Sequence, residues 1–289
     1  MKKRNFTTVL LLIIMGVGLS LLLYPSIANY WNSFHASKVM TSYVTAVSEM
    51  KDDEVEKLWA EAVEYNKEVS KRGGPCQLSD AELKKYDSVL NIGGSGIMGI
   101  IDIERVGISL PIYHGTSEGV LQIATGHIDW SSLPVGGESS HCVISGHRGL
   151  PSAKLFSDLD MLREGDTFTL TVLDQVLTYE IDQIRIVLPT ELDNLKIEKG
   201  KDFCTLVTCT PYGINTHRLL IRGHRTETVD KHHIVSEAVK ISPMIVAPIV
   251  GALPVLILLG MVFIKPGRNR KTTALEEELD SLMKAEREE

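Results

Sequence analysis

Two uncharged apolar runs limit what this chain can fold into. Residues 6–24, FTTVLLLIIMGVGLSLLLY, and residues 244–264, MIVAPIVGALPVLILLGMVFI, carry no charged side chain. Each is long enough to cross a bilayer as a helix. Lys2, Lys3 and Arg4 precede the first, while Lys265, Arg268, Arg270 and Lys271 follow the second. Positive flanks stay on the cytoplasmic side, so both termini are expected inside the cell. Pro248 and Pro254 would kink the second run, which membrane helices tolerate. The competing reading of the first run is a cleaved signal peptide, with Ser26-Ile27-Ala28 as the cleavage site. The run is longer than a usual signal core, which favours retention.

About 220 residues between the runs are then left outside the membrane, enough for one sizeable core. The expected layout is a cytoplasmic start (1–5), a first span (6–24), a helical extension (25–96) and a β-rich domain (97–228). A connector (229–243), a second span (244–264) and an acidic, solvated cytoplasmic tail (265–289) complete it. Net charge is −7, and no dense basic patch lies outside the membrane flanks, so nucleic acid is not an expected partner. GGSG at residues 93–96 lacks the Lys-Ser/Thr of a phosphate loop. No His, Cys, Asp and Glu grouping has metal-ligand spacing, and no cofactor is expected.

Within the extension, Val39, Tyr43, Val47, Met50, Val55, Leu58, Trp59 and Ala62 recur at helical spacing. RGGPC at residues 72–76 breaks the pattern. Ser79 and Glu82 then form a capping box for a further helix. From Ile97 the texture changes to short β-rich segments: IMGIIDI, VGISLPIY, HCVISG, FTLTVL, LTYEIDQIRIVLP, FCTLVTC and HRLLIRG. Seven or eight strands at this spacing predict a barrel or a sandwich. SAKLFSDLDML, residues 152–162, reads as the one helical interruption.

Four cysteines, Cys76, Cys142, Cys204 and Cys209, raise the question of chemistry. Side chains alternate along a strand, so in FCTLVTC Cys204 and Cys209 point to opposite faces. They neither bond to each other nor share a metal. Cys142 and Cys204 read as core thiols, with a bond between them left open. After Cys209, TPYGIN is a turn. If Cys209 faces Thr216 across the hairpin, then Val207 faces Arg218, and Arg218 shares the Cys209 face. A guanidinium beside a thiol favours the thiolate and can hold an oxyanion. The thiol also needs a proton donor for its leaving group. His147, after the strand CVISG, is the preferred candidate, because strand-end loops display catalytic groups. His217 should face away from Cys209. His127 and Asp129, in GHIDW, read as turn residues first and cleft residues second.

Together, TLVTC followed by HRLLIRG, with SGHRGLPSAKLF upstream, resemble the sortases, the cysteine transpeptidases of Gram-positive cell surfaces. LPIYHGTSEGVL and SLPVGG resemble the pilin-polymerising group, class C. The resemblance implies an eight-stranded β-barrel with short helices and a catalytic set at His147, Cys209 and Arg218. It implies cleavage of an LPxTG-like sorting signal between Thr and Gly, and transfer to a pilin lysine. The implied partners are pilin subunits and the lipid bilayer. Class C sortases usually carry an Asp-Pro-aromatic lid motif, which is absent from residues 32–96. Cys76 sits in the corresponding stretch, and a reversible bond to Cys209 is one reading of it; a free thiol is the preferred one. A surface cysteine peptidase and a non-enzymatic pilus assembly scaffold are the alternative functions.

Overall fold

The computed structural model describes residues 2–228. The second apolar run, the connector and the acidic tail lie outside the described residues. The described residues fall into two units, the helical stretch 2–19 and residues 20–228. Helix α1, Lys2–Ser48, runs through Pro25 without ending. Among the described residues it is the one helix long and apolar enough to cross a membrane, with an 18-residue window of mean hydropathy 2.3.

Two more helices follow in the second unit, α2 (Asp52–Arg72) and α3 (Asp80–Ser88). Gly73 ends α2 in the left-handed conformation that glycine adopts without penalty. The predicted capping box begins α3: Ser79 Oγ accepts from the Glu82 N–H, and Glu82 reaches back to the Ser79 N–H.

Eight strands close into a barrel: β1 (Ile97–Ile103), β2 (Ile108–His114), β3 (Thr125–His127), β4 (Ser140–Ser145), β5 (Thr167–Val172), β6 (Gln175–Val187), β7 (Asp202–Thr210) and β8 (His217–Thr226). Their order is β1-β2-β3-β4-β7-β8-β6-β5, with β5 returning to β1. The β2–β3 and β4–β7 pairs are parallel and the others antiparallel. A four-residue helix, α4 (Glu118–Leu121), connects β2 to β3.

Strand β5 alternates buried and half-buried residues, the sign of one wet face. Strand β1 is buried almost throughout, and residues of the helical extension share its apolar cluster. Tyr43 of α1 shows the fit. Its hydroxyl donates to the Met98 carbonyl (3.1 Å) and accepts from the Leu173 N–H (2.9 Å). Burial raises its pKa to about 12, so it stays a donor. Leu173 turns the β5–β6 hairpin at φ 53°, a strained conformation for leucine that this bond helps to hold. Tyr43→Phe leaves the Leu173 N–H and the Met98 carbonyl without this partner. The expected loss is about 2 kcal/mol, read as a lower urea midpoint with an unchanged slope.

Strand β3 is missing from the sequence-based strand set. It is three residues long with Gly126 at its centre, so it shows no alternation. A Cβ at Gly126 would lie 2.2 Å from the Gly115 carbonyl oxygen, which makes glycine obligatory in this crossing. The expected helix at residues 152–162 is corrected to irregular chain ending in a single 3₁₀ turn, Leu159–Met161. Its apolar residues Ala153, Leu155, Phe156, Leu159 and Leu162 are buried by the barrel rather than by a helical stripe.

Candidate active site

Face parity in β7 decides which cysteine can react. Cys204 and Leu206 point into the core, and their register partners on β4, Cys142 and Ile144, do the same. Burial, with the Cys142 thiol as hydrogen-bond partner, pushes the Cys204 thiol well up, so it stays protonated. Cys142 and Cys204 are both free, so the bond left open between them is not formed. Val207 faces outward and packs with Val143, Val187, Leu195 and Leu220 in a second apolar cluster on the outer barrel wall. Cys209, two residues on, shares that outer face and is half-buried.

The register of β7 and β8 differs from the expected one by two residues. Cys209 stands directly opposite Arg218, and Val207 opposite Leu220. A two-residue shift preserves the face, so Arg218 moves from a diagonal to a facing neighbour of the thiol. Nη1 of Arg218 donates to the carbonyls of Asn215 (3.2 Å) and His217 (3.1 Å). The turn thereby orients the guanidinium along the hairpin mouth.

His147 arrives from the other side. Ser145 pairs with Val207 in the parallel β4–β7 ladder, and continuing that register by two places brings His147 level with Cys209. Two bonds continue the ladder beyond β4: Gly146 N–H to the Val207 carbonyl (3.1 Å) and Thr208 Oγ1 to the Gly146 carbonyl (2.8 Å). Gly146 itself lies against the Phe156 ring, where a Cβ would come within 2.7 Å. Arg148 is directed to the hairpin turn, with Thr210 and Asp160 as partners and Tyr212 beneath its guanidinium. The three candidates therefore come from adjacent strands, with the thiol in the middle.

Other histidines are engaged elsewhere. His127 is fully buried, with Tyr86 Oη at Nδ1 (3.0 Å) and the Ser132 carbonyl at Nε2 (2.8 Å). It belongs to the core rather than to a turn or the cleft. Burial lowers the pKa of His141 and of His114, keeping both rings neutral. His147 retains 27% exposure and has Glu118 Oε2 3.9 Å from its Nε2. Sequence reasoning missed Glu118; only the crossing of β2 and β3 brings α4 to this side.

Beside Arg218 runs a cleft of about 210 Å³. It is lined by Ile128 and Trp130 from the β3–β4 loop, Leu188 and Leu192 from the β6–β7 loop, and Val207 and Leu220 from β7 and β8. Both loops are hydrogen-bonded to the helical extension. Asn66 of α2 holds the β3–β4 loop, donating to the Leu133 and Gly136 carbonyls and accepting from the Leu133 N–H. Gly73 accepts from the Ile197 N–H (3.0 Å) in the β6–β7 loop. The stretch that begins at residue 72 thus bonds to the β6–β7 loop, part of which lines the cleft. Cys76 there is exposed, and both it and Cys209 are free thiols.

The sortase-domain family model matches residues 101–226, from within β1 to the end of β8. The solved structure of sortase C1 from Streptococcus agalactiae is 49% identical, with a TM-score of 0.66. That match covers 66% of this chain and 100% of the other. The chain belongs to the sortase family. A second sortase neighbour is sortase C of Clostridium perfringens, solved with the C-terminal cell wall sorting motif. It is 43% identical, with a TM-score of 0.59 over 66% of this chain and 100% of that one. Among curated relatives, sortase A of Streptococcus agalactiae is 32% identical over 46% of this sortase. This sortase spans only 54% of that relative's length.

Proposed function

We propose that this sortase is a membrane-anchored cysteine transpeptidase that polymerises pilus subunits. Its substrate is an LPxTG-like sorting signal, in keeping with the Clostridium perfringens relative solved with the C-terminal cell wall sorting motif. The Cys209 thiolate attacks the Thr–Gly carbonyl carbon. Arg218 donates hydrogen bonds to the oxygen as it becomes an oxyanion. The C–N bond breaks as His147, protonated, gives its proton to the leaving glycine amine. This leaves a thioester on Cys209, which splits one hard step into two. A pilin lysine amine then attacks the thioester and loses its proton to neutral His147. The C–S bond breaks, the thiolate is restored, and an isopeptide bond remains.

One observation carries the reading: an outward, half-buried thiol stands directly opposite an arginine at an apolar cleft, with a histidine one strand away. The apolar cleft suits the Leu-Pro part of the signal, whose burial favours binding. The apolar start of α1 and the run at residues 244–264 would anchor the enzyme with both termini cytoplasmic and the barrel outside.

The test is product analysis with an LPxTG peptide and a lysine-bearing pilin domain. Cross-linked product, released glycine amine and a mass shift on Cys209 are expected. Free acid alone, with no cross-link under saturating acceptor, would make the protein a surface peptidase. Polymer formed without any Cys209 adduct would make it a scaffold.

A further inference from the structure

Helix α1 presents one stripe to the barrel. Asn29, Asn32, Ala36, Val39, Tyr43 and Val47 recur along it at three- and four-residue spacing, each buried or half-buried. The later, apolar members are explained by the surface they cover. The two asparagines are not, since asparagine is a weak helix former with little apolar surface to bury. Both reach the same loop. Asn29 Oδ1 accepts from the Lys154 N–H at 2.7 Å, and Asn32 Nδ2 donates to the Ser152 carbonyl at 2.9 Å.

That loop starts at His147. It has no regular structure before the 3₁₀ turn at Leu159–Met161. Its ends are pinned by the Phe156 N–H on the His147 carbonyl and the Gly149 N–H on Ser157 Oγ, each 3.1 Å. The two α1 bonds, to Ser152 and Lys154, fall between those pins. Tyr24, the last residue of the apolar run, precedes Asn29 by five residues, about 7.5 Å of helical rise. Away from the barrel, α1 exposes Tyr30, Trp31 and Phe34, each more than half accessible. Aromatics of this kind collect at the membrane–water interface.

We propose that Asn29 and Asn32 are positioning residues for His147, tying its loop to the helix that enters the bilayer. This rests on the reading of His147 as the proton donor and acceptor in acyl transfer. The two bonds have opposite sense: Asn29 supplies an acceptor and Asn32 a donor. An exchange to aspartate therefore separates them. Asn29→Asp keeps the acceptor for the Lys154 N–H. Asn32→Asp sets a carboxylate oxygen against the Ser152 carbonyl.

The experiment uses the full chain in phospholipid vesicles, assayed with an LPxTG peptide and an amine acceptor. Asn29→Ala and Asn32→Ala are expected to lower kcat about tenfold while KM stays within about twofold, because the cleft is untouched and only the proton-transfer group is misplaced. Asn29→Asp should regain the wild-type kcat, and Asn32→Asp should remain as slow as Asn32→Ala. Wild-type kcat in both alanine variants, or an Asn29→Asp variant as slow as Asn29→Ala, overturns the inference. A Cys209→Ala control separates the two levels. If that control still turns over, the transpeptidase reading itself fails. If it is inactive while both alanine variants run at full rate, only the brace fails.

Discussion

Cys209→Ala is expected to abolish both peptide cleavage and cross-linking, a loss of about 10³-fold or more, down to background. No thioester should then be seen by intact mass when the LPxTG peptide is added. Cys204→Ala, five residues earlier on the same strand, should keep the thioester and the turnover. It removes a fully buried sulfur from the core and should lower stability by about 1–2 kcal/mol. The contrast rests on strand parity alone, since the two thiols face opposite sides of one barrel wall. A folded Cys204→Ala variant without activity would contradict that assignment. So would a Cys209→Ala variant that still accumulates adduct.

Arg218 carries the second large effect. Replacement by lysine keeps the charge but not the planar fork, in which Nη1 alone holds the Asn215 and His217 carbonyls and leaves Nη2 and Nε for an oxyanion. Arg218→Lys is expected to lower kcat about 10²-fold, and Arg218→Ala by the same amount or more. KM for the sorting-signal peptide should change little, because the apolar cleft walls remain in place. Steady-state kinetics read the split directly. A lysine variant at full rate would mean that Arg218 acts only as a positive charge. A large rise in KM with kcat intact would make it a binding residue for the substrate backbone.

Much of the candidate site was legible in the sequence because period-two alternation is a local property. It separated Cys204 from Cys209 before any fold was known. It also put Arg218 on the Cys209 face, and the observed two-residue difference in register left that conclusion standing because it is an even step. His147 was legible as a strand-end residue, although its level with Cys209 depends on β4 and β7 pairing in parallel. Nothing local announced Glu118 beside His147 or Asn66 behind the cleft wall. Each is an ordinary polar residue until the chain crosses over and brings it to its partner. Strand β3 escaped for a different reason. Three residues around an obligatory glycine carry no periodicity to detect.

The sequence by itself determined the apolar runs, the helical extension, the β-rich domain and the opposite facing of Cys204 and Cys209. These follow from side-chain order along a short stretch of chain. The tertiary structure decided the rest. The closing of β5 on β1 makes the eight-stranded barrel that the resemblance implied, where strand spacing alone left a sandwich open as well. Parallel pairing and the hairpin register set Cys209 and Arg218 on neighbouring strands and His147 just past the end of a third. The stretch from residue 72, which lacks the Asp-Pro-aromatic motif, bonds to the β6–β7 loop through a backbone contact that joins Gly73 to Ile197. Contacts of that kind link residues more than a hundred positions apart, and side-chain order along one stretch of chain carries no signal for them.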